Sequence, residues 1–299
     1  MGAIDQLRKQ LGGVVAAVLG TCGLAFLPAP LVMAADPVSA PGDRAAAGCS
    51  PTLRVLWTLR LPTTLPAAEA LAQLGVKRLW GEHNLRVVGA NGRVGAIIEV
   101  SYPAGSINPG NTRAPAGGAG FLYAGPTDRR RAHTHACLSY DVRFAPDFDF
   151  ARGGKLPGMY GGAAPSGGQS VSGQPGFSLR YMWRPTGRGE VYAYIADQPN
   201  GRYGQSIGRG TIQFVRGKWH RLEQDVVLNQ PGTADGILRV WVDGTLVLER
   251  RDIPYRTQAS IGIEGLMFNT FFGGHDATWA SPRDQKIQIG NITFLATTR

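Results

Sequence analysis

The stretch "GILRVWVDGTLVLERRDI", residues 236–253, contains the pattern that decides the fold. Apolar and polar residues alternate on both sides of Asp243–Gly244, which is the period of a strand with one buried face. Asp-Gly favours the two-residue turn between antiparallel strands, because both positions of that turn need a positive φ. We therefore predict a β-hairpin with Val240 in its first strand and Leu248 in its second.

The same alternation recurs along most of the chain, whereas the best helical stretch, 67–76, is short. The 42 glycines and 20 prolines indicate many turns. Further strand-like segments lie at 85–90, 95–103, 136–144, 176–184, 190–197, 210–228 and 286–295. Many strands without interleaved helices predict an all-β protein, an antiparallel β-sandwich or concanavalin-like jelly roll with a concave basic cleft.

The N-terminal segment is typical of a secretory signal peptide. Arg8 and Lys9 precede an apolar stretch that ends in small residues. We expect 1–35 to be a signal peptide, 36–60 a flexible leader and 61–299 a single catalytic domain. The mature protein would then be secreted or periplasmic and would have no membrane contact after removal of the signal.

The net charge of +10 favours an anionic partner. The longest basic run, Arg129–Arg131, is short for a nucleic-acid-binding segment, so we expect an acidic polysaccharide and no nucleic acid. A merely solvated basic surface is the alternative. Cys22 belongs to the signal, and a disulfide between Cys49 and Cys137 is expected in an oxidising compartment, with two buried thiols as the other option.

Residues 177–197, "FSLRYMWRPTGRGEVYAYIAD", predict a second hairpin, whose side chains could take part in binding or catalysis. Alternation places Arg180 and Arg184 on one strand face, together with Ser178 and Met182. A hairpin centred near Gly187 would set Met182 opposite Tyr192 and Arg180 opposite Tyr194. Ordinary strand tyrosines beside a solvated arginine are the plainer interpretation of this stretch alone.

Four segments carry a wider resemblance. They are "YDVRFAPDFDFARGGKLPGMYGG" (140–162), the hairpin at 177–197, "GKWHRLEQDVVLNQPGTADGILRVWVDG" (217–244) and "MFNTFFGGHDATWASPRDQKI" (267–287). Together they resemble polysaccharide lyase family 14, which includes alginate lyases and glucuronan-cleaving enzymes with a β-jelly-roll fold. The resemblance implies five site residues: Lys155, Ser178, Arg180, Tyr192 and Tyr194.

The implied reaction removes the C5 proton of a 4-linked uronic acid, after which O4 leaves and a C4–C5 double bond forms. A cation that neutralises the neighbouring carboxylate stabilises the enolate-like transition state, which suits Arg180 and Lys155. Tyr192 and Tyr194 are expected to act as base and acid, in either order, since nearby positive charge lowers the pKa of a phenol. Lys155 as the base is the alternative.

The remaining expectations concern substrate binding and the surroundings of the lysine. Ser178, Arg184 and His275 are expected to bind substrate, His275 from a loop at the rim of the cleft. Two glycine pairs flank Lys155 in "GGKLPGMYGG", residues 153–162, and predict an exposed, flexible frame.

We expect a monomer without an organic cofactor or a catalytic metal. Asp147, Asp149 and Asp276 could bind a structural calcium, but their spacing does not indicate one. "GQSIG" (204–208) matches a serine-hydrolase motif but precedes a strand, where that motif needs a strand-to-helix turn. A lectin-like binding module for acidic polysaccharide is the alternative to an enzyme.

Overall fold

A computed structural model describes residues 48–89, 97–126, 132–169, 175–198 and 202–297, all within one compact unit, Ala40–Arg299. The strands are β1 (Arg54–Thr58), β2 (Lys77–Trp80), β3 (Leu85–Val88), β4 (Ile97–Tyr102), β5 (Ala119–Tyr123), β6 (His135–Phe144), β7 (Gly154–Gly162), β8 (Gly176–Trp183), β9 (Arg188–Tyr194), β10 (Gln205–Gln213), β11 (Trp219–Val227), β12 (Gly236–Val242), β13 (Thr245–Ile253), β14 (Ile263–Phe272) and β15 (Gln285–Ala296). The α-helix is α1 (Ala67–Gln73), and 3-10 turns occupy Glu82–Asn84, Pro185–Gly187 and Ala277–Trp279.

These strands form two antiparallel sheets. Sheet A has the order β13-β12-β11-β6-β15-β4-β3, with β1 paired to β15, and sheet B has the order β10-β9-β8-β7-β14-β5-β2. The predicted hairpin at 236–253 is confirmed: β12 and β13 pair across a turn in which Asp243 has φ 53° and Gly244 has φ 82°. The predicted all-β sandwich is therefore correct.

The core lies between the sheets. Alternate residues of β6 and β8 point into it, including Tyr140, Phe144, Tyr181 and Trp183, all fully buried. The residues between them point outward, which places Arg180 on the outer face of sheet B. Alternation along each strand thus separates a packing face from a chemical face.

Three predictions concern the ends and covering of the domain. The predicted signal peptide, 1–35, lies outside the described residues. The predicted leader, 36–60, contains strand β1, so the ordered fold begins earlier than the sequence indicated. Cys49 and Cys137 are joined by a disulfide that holds the segment before β1 against the outer face of sheet A.

Across the described ranges, no helix is long and apolar enough to cross a membrane. Within those same ranges, no group of three or more His, Cys, Asp or Glu residues is arranged to hold a metal ion.

Candidate active site

Lys155 is held in a central strand rather than in a flexible loop, so the predicted exposed frame is wrong. β7 lies between β8 and β14, and Lys155 is 8% exposed. The glycines around it make room for rings of the neighbouring strand: a Cβ on Gly154 would lie 2.2 Å from the Trp183 ring, and one on Gly161 would lie 2.5 Å from that of Phe177. Glycine here serves close packing, not mobility.

Three adjacent strands bring the chemistry together. Lys155 on β7 is paired with Met182 on β8, and Arg180 on β8 is paired with Tyr192 on β9. The Lys155 Nζ lies 4.0 Å from the centroid of the Tyr192 ring and 3.0 Å from the Met182 Sδ. Lys155 and Tyr192 therefore share one small region of the outer face of sheet B.

Arg180 and the second tyrosine lie in the same cluster. The Arg180 guanidinium is 5.7 Å from the centroid of the Tyr194 ring, and the Tyr192 and Tyr194 rings meet edge to face at 5.9 Å. The structure thus brings Lys155, Arg180, Tyr192 and Tyr194 together, as the sequence suggested.

The predicted pairing of this hairpin is wrong by two residues. Arg180 lies opposite Tyr192, and Ser178 lies opposite Tyr194. The 3-10 turn at Pro185–Gly187, with Thr186 at φ 62°, moves the centre of the hairpin one residue towards the N-terminus. An even shift keeps each side chain on its face, so the cluster survives the error.

Burial sets the protonation of the cluster. Burial first, and then the charges of Arg180 and Arg184, hold the pKa of Lys155 well below its ordinary value, although Glu190 acts in the opposite direction. The pKa of Tyr192 is raised to about 12, mainly by burial and by Tyr194, which outweigh the two arginines. The two arginines lower the pKa of this phenol, as expected, but desolvation is larger, so the net shift is upward.

Arg180 is a buried cation without an anionic partner in the described part of the chain. It is 2% exposed, its Nε has no hydrogen-bond partner, and no ion pair with a carboxylate of the described residues involves it. Burial lowers its pKa, but a guanidinium stays charged in proteins. Such a group is costly to the fold unless a ligand supplies the missing negative charge.

The three predicted substrate-binding residues are placed differently. Ser178 is fully buried, and its hydroxyl donates to the Pro165 carbonyl at 2.7 Å, so it anchors the loop over the cluster. Arg184 donates to Glu190 Oε1 through Nε at 3.1 Å and an Nη at 2.5 Å, so the Glu190 carboxylate already neutralises the Arg184 guanidinium. His275 is exposed, and its nearest ionic partner is Asp276 at 3.6 Å.

Sequence reasoning missed Glu190. Its carboxylate is fully buried and accepts from Arg184 and, at 2.9 Å, from the Ser206 hydroxyl. This contact also explains the serine of "GQSIG": Ser206 lies in strand β10, not at a strand-to-helix turn. The available signal was spacing, because Glu190 precedes Tyr192 by two residues and therefore shares its strand face.

A two-sheet sandwich with cations and phenols gathered on one outer face is suited to binding an acidic ligand such as a sugar acid. Residues 91–292 match the family profile of Polysaccharide lyase 14, and the chain belongs to that family. It is a polysaccharide lyase.

Solved structures share this fold. A PL-14 alginate lyase from Aplysia kurodai is 30% identical, with 81% of this chain and 99% of that chain covered and a TM-score of 0.70. An alginate lyase from Chlorella virus is 22% identical, with 81% and 100% covered and a TM-score of 0.63. An endo-β-1,4-glucuronan lyase from Trichoderma reesei is 13% identical, with 75% and 92% covered and a TM-score of 0.52. No curated protein matches the chain.

Proposed function

We propose that this lyase cleaves a 4-linked polyuronate by β-elimination at the cluster of Lys155, Arg180, Tyr192 and Tyr194. The observation that carries the proposal is the buried, unpaired guanidinium of Arg180 beside an amine and two phenols. A uronate carboxylate would supply the anion that Arg180 lacks, and a planar guanidinium can bind it through two hydrogen bonds.

Arg180 would then stabilise the transition state. Removal of the C5 proton places negative charge on the carboxylate, and a fixed cation in a buried site stabilises that charge strongly. Because Arg180 lies in the middle of sheet B, the protein needs little rearrangement at the moment of reaction.

Lys155 is the group best suited to take the proton. Its pKa is held well below the ordinary value, so a larger fraction of the amine is neutral than in an exposed lysine. Tyr192 is suited to protonate O4, because its pKa of about 12 keeps the phenol protonated. Tyr194 accepts a hydrogen bond from the Gly168 amide at 3.3 Å and would help to position the sugar. A tyrosine base remains the second assignment.

Alginate is the first polymer to test. The Aplysia kurodai relative that is 30% identical is an alginate lyase, and a glucuronan polymer is the next choice. We further propose an exported, monomeric enzyme that acts outside the cytoplasm, since the N-terminal sequence resembles a signal peptide and Cys49 is bonded to Cys137.

The test is to incubate the protein with polymannuronate, polyguluronate and glucuronan and to follow the ultraviolet absorbance of the new C4–C5 double bond. We expect absorbance to rise with at least one polymer, and Tyr192→Phe and Lys155→Met to abolish the rise without unfolding the protein. Binding to a polymer without any rise would instead support a lectin-like module. Full activity in Lys155→Met would exclude Lys155 as the catalytic base and assign that role to a tyrosine.

A further inference from the structure

The outer face of sheet B continues past the cluster, across β14 and β5 to β2. On this side Phe271 of β14 is paired with Lys155 of β7, and Asn269 of β14 is paired with Gly120 of β5. Trp80 of β2 is paired with Gly120 in turn. The inward residues of β14, Phe268 and Thr270 among them, are fully buried, so Asn269 and Phe271 point outward.

An irregularity in β2 brings Trp80 to this face. The pairing of β2 with β5 shifts between Lys77 and Trp80, and Arg78 within that shift has φ 53°. A bulge of this kind re-aims the side chains that follow it. Trp80 is only partly buried, and its ring meets that of Phe271 edge to face at 6.0 Å.

A glycine keeps the space between these groups open. A Cβ on Gly120 would lie 2.0 Å from Asn269 Oδ1 and 2.3 Å from Trp80 Nε1, so only glycine lets the amide and the indole N–H stand over this point. Asn269 is 9% exposed, and its side chain makes no hydrogen bond to the described part of the chain. Its amide atoms keep contact with solvent and, without a partner in the described part of the chain, are free to pair with a ligand.

We infer that Trp80, Asn269 and Phe271 form an additional subsite that binds a sugar residue of the polyuronate on the β2 side of the cleavage point. Aromatic rings offer a flat apolar surface to the C–H face of a sugar, and an amide pairs with hydroxyls in both directions. The inference rests on the proposed function for the identity of the polymer.

The separation suits a polymer that crosses the strands. β2 and β7 are three strand steps apart, which is about 14 Å at the usual spacing. Phe271 lies only one strand step from Lys155, whereas Trp80 lies at this larger distance, which exceeds one sugar residue. The Trp80 end of the subsite would therefore bind a unit that is not the one being cleaved. It would therefore affect affinity for long chains and leave the chemical step unchanged.

The experiment compares Trp80→Ala, Asn269→Ala and the wild type on alginate, on glucuronan and on their size-fractionated oligomers. We expect KM for the polymer to rise roughly tenfold in Trp80→Ala, with kcat within about twofold. Asn269→Ala should raise KM by about three- to tenfold. For the shortest oligomer that the wild type cleaves, both variants should match the wild type.

Trp219→Ala is the matched control, because Trp219 is also a partly buried tryptophan but begins a strand of sheet A. It should leave KM unchanged. Thermal unfolding checks that each variant is folded, and Asn269→Ala keeps the test valid if loss of Trp80 disturbs packing. Wild-type KM in both variants, or an equal change at every oligomer length, would overturn the subsite.

Retention during electrophoresis through gels that contain alginate or glucuronan separates the subsite from the proposed function. A wild type that is retained by a polymer but does not cleave it would refute the proposed function, while reduced retention of Trp80→Ala and Asn269→Ala would still support the subsite. A wild type that is neither retained nor active would overturn both.

Discussion

The outer faces of the two sheets both contain buried or half-buried charges, but they use them differently. On sheet A the charges are paired: Arg221 with Asp141 at 2.6 Å, and Arg239 with Asp225 at 3.4 Å. On sheet B, Arg180 has no carboxylate partner among the described residues. Because an unpaired buried charge costs stability, the pairing pattern separates charges that support the fold from charges kept for a ligand.

The sharpest test of this difference replaces one buried arginine in each sheet. Arg180→Met should reduce kcat by a factor of roughly 10³ or more, since it removes the cation that stabilises the developing charge. The free energy of unfolding should stay the same or rise, because no partner is left behind. Chemical denaturation and lyase assays on the same preparation measure both quantities.

Arg221→Met is the matched variant. It should keep kcat near the wild-type value and lower the free energy of unfolding by about 3 kcal/mol, because the 5%-exposed carboxylate of Asp141 loses its cation. Within the described ranges, the side-chain partner that would remain is Asn291, at 2.6 Å. If Arg221→Met were as inactive as Arg180→Met, the two faces would not differ in the way argued.

The disulfide tests the supporting role of sheet A by another route. Cys49 and Cys137 are separated by 88 positions in the sequence, and loss of the link that closes this long loop should cost up to about 4 kcal/mol. The double variant Cys49→Ser/Cys137→Ser should therefore have a lower Tm. Its kcat, measured well below that Tm, should be unchanged because Cys137 lies on the opposite sheet from the cluster. A large fall in kcat would contradict this separation.

The sequence predicts the strands and their faces better than it predicts depth and register. Alternation placed Arg180 and the two tyrosines on one face correctly, because side-chain period does not depend on tertiary contacts. The register of the β8–β9 hairpin depended on the turn conformation at Thr186, which the local sequence pattern did not predict. Lys155 is covered by Met182 and Tyr192 of neighbouring strands, and Gly154 beside it makes room for the Trp183 ring. Neither contact is visible in the sequence, so the glycines looked flexible there.

The subsite shows the same limit. Trp80 on β2 is distant in the chain from Asn269 and Phe271 on β14, and only the order β2-β5-β14-β7 brings them together on the sheet that holds Lys155. Glu190, by contrast, was within reach of sequence reasoning through its spacing from Tyr192.

A smaller effect is expected from Lys155 on stability. Burial lowers its pKa in the folded state, so the unfolded chain binds more protons as pH falls below 10.5. The wild type should lose up to about 1.4 kcal/mol for each pH unit from there down to the folded pKa, and nothing further below it. Lys155→Met removes this penalty. It should be more stable than the wild type at pH 8, although inactive, and denaturation at several pH values would measure the slope.

The smallest expected effect on stability comes from a lysine-to-methionine substitution on sheet A, which is the counterpart of Lys155→Met on sheet B. Lys286 is 55% exposed and lies 3.1 Å from Glu99, whose carboxylate also accepts from Gln288 at 3.1 Å. Lys286→Met should lower the free energy of unfolding by less than about 1 kcal/mol, because the ammonium is largely exposed to solvent and the buried Glu99 carboxylate keeps its hydrogen bond from Gln288. The two lysine variants should thus change stability with opposite signs at pH 8. If both variants were stabilised equally, replacing a lysine by methionine would be stabilising at any position. The buried, unpaired position of Lys155 would then carry no special cost in folding free energy.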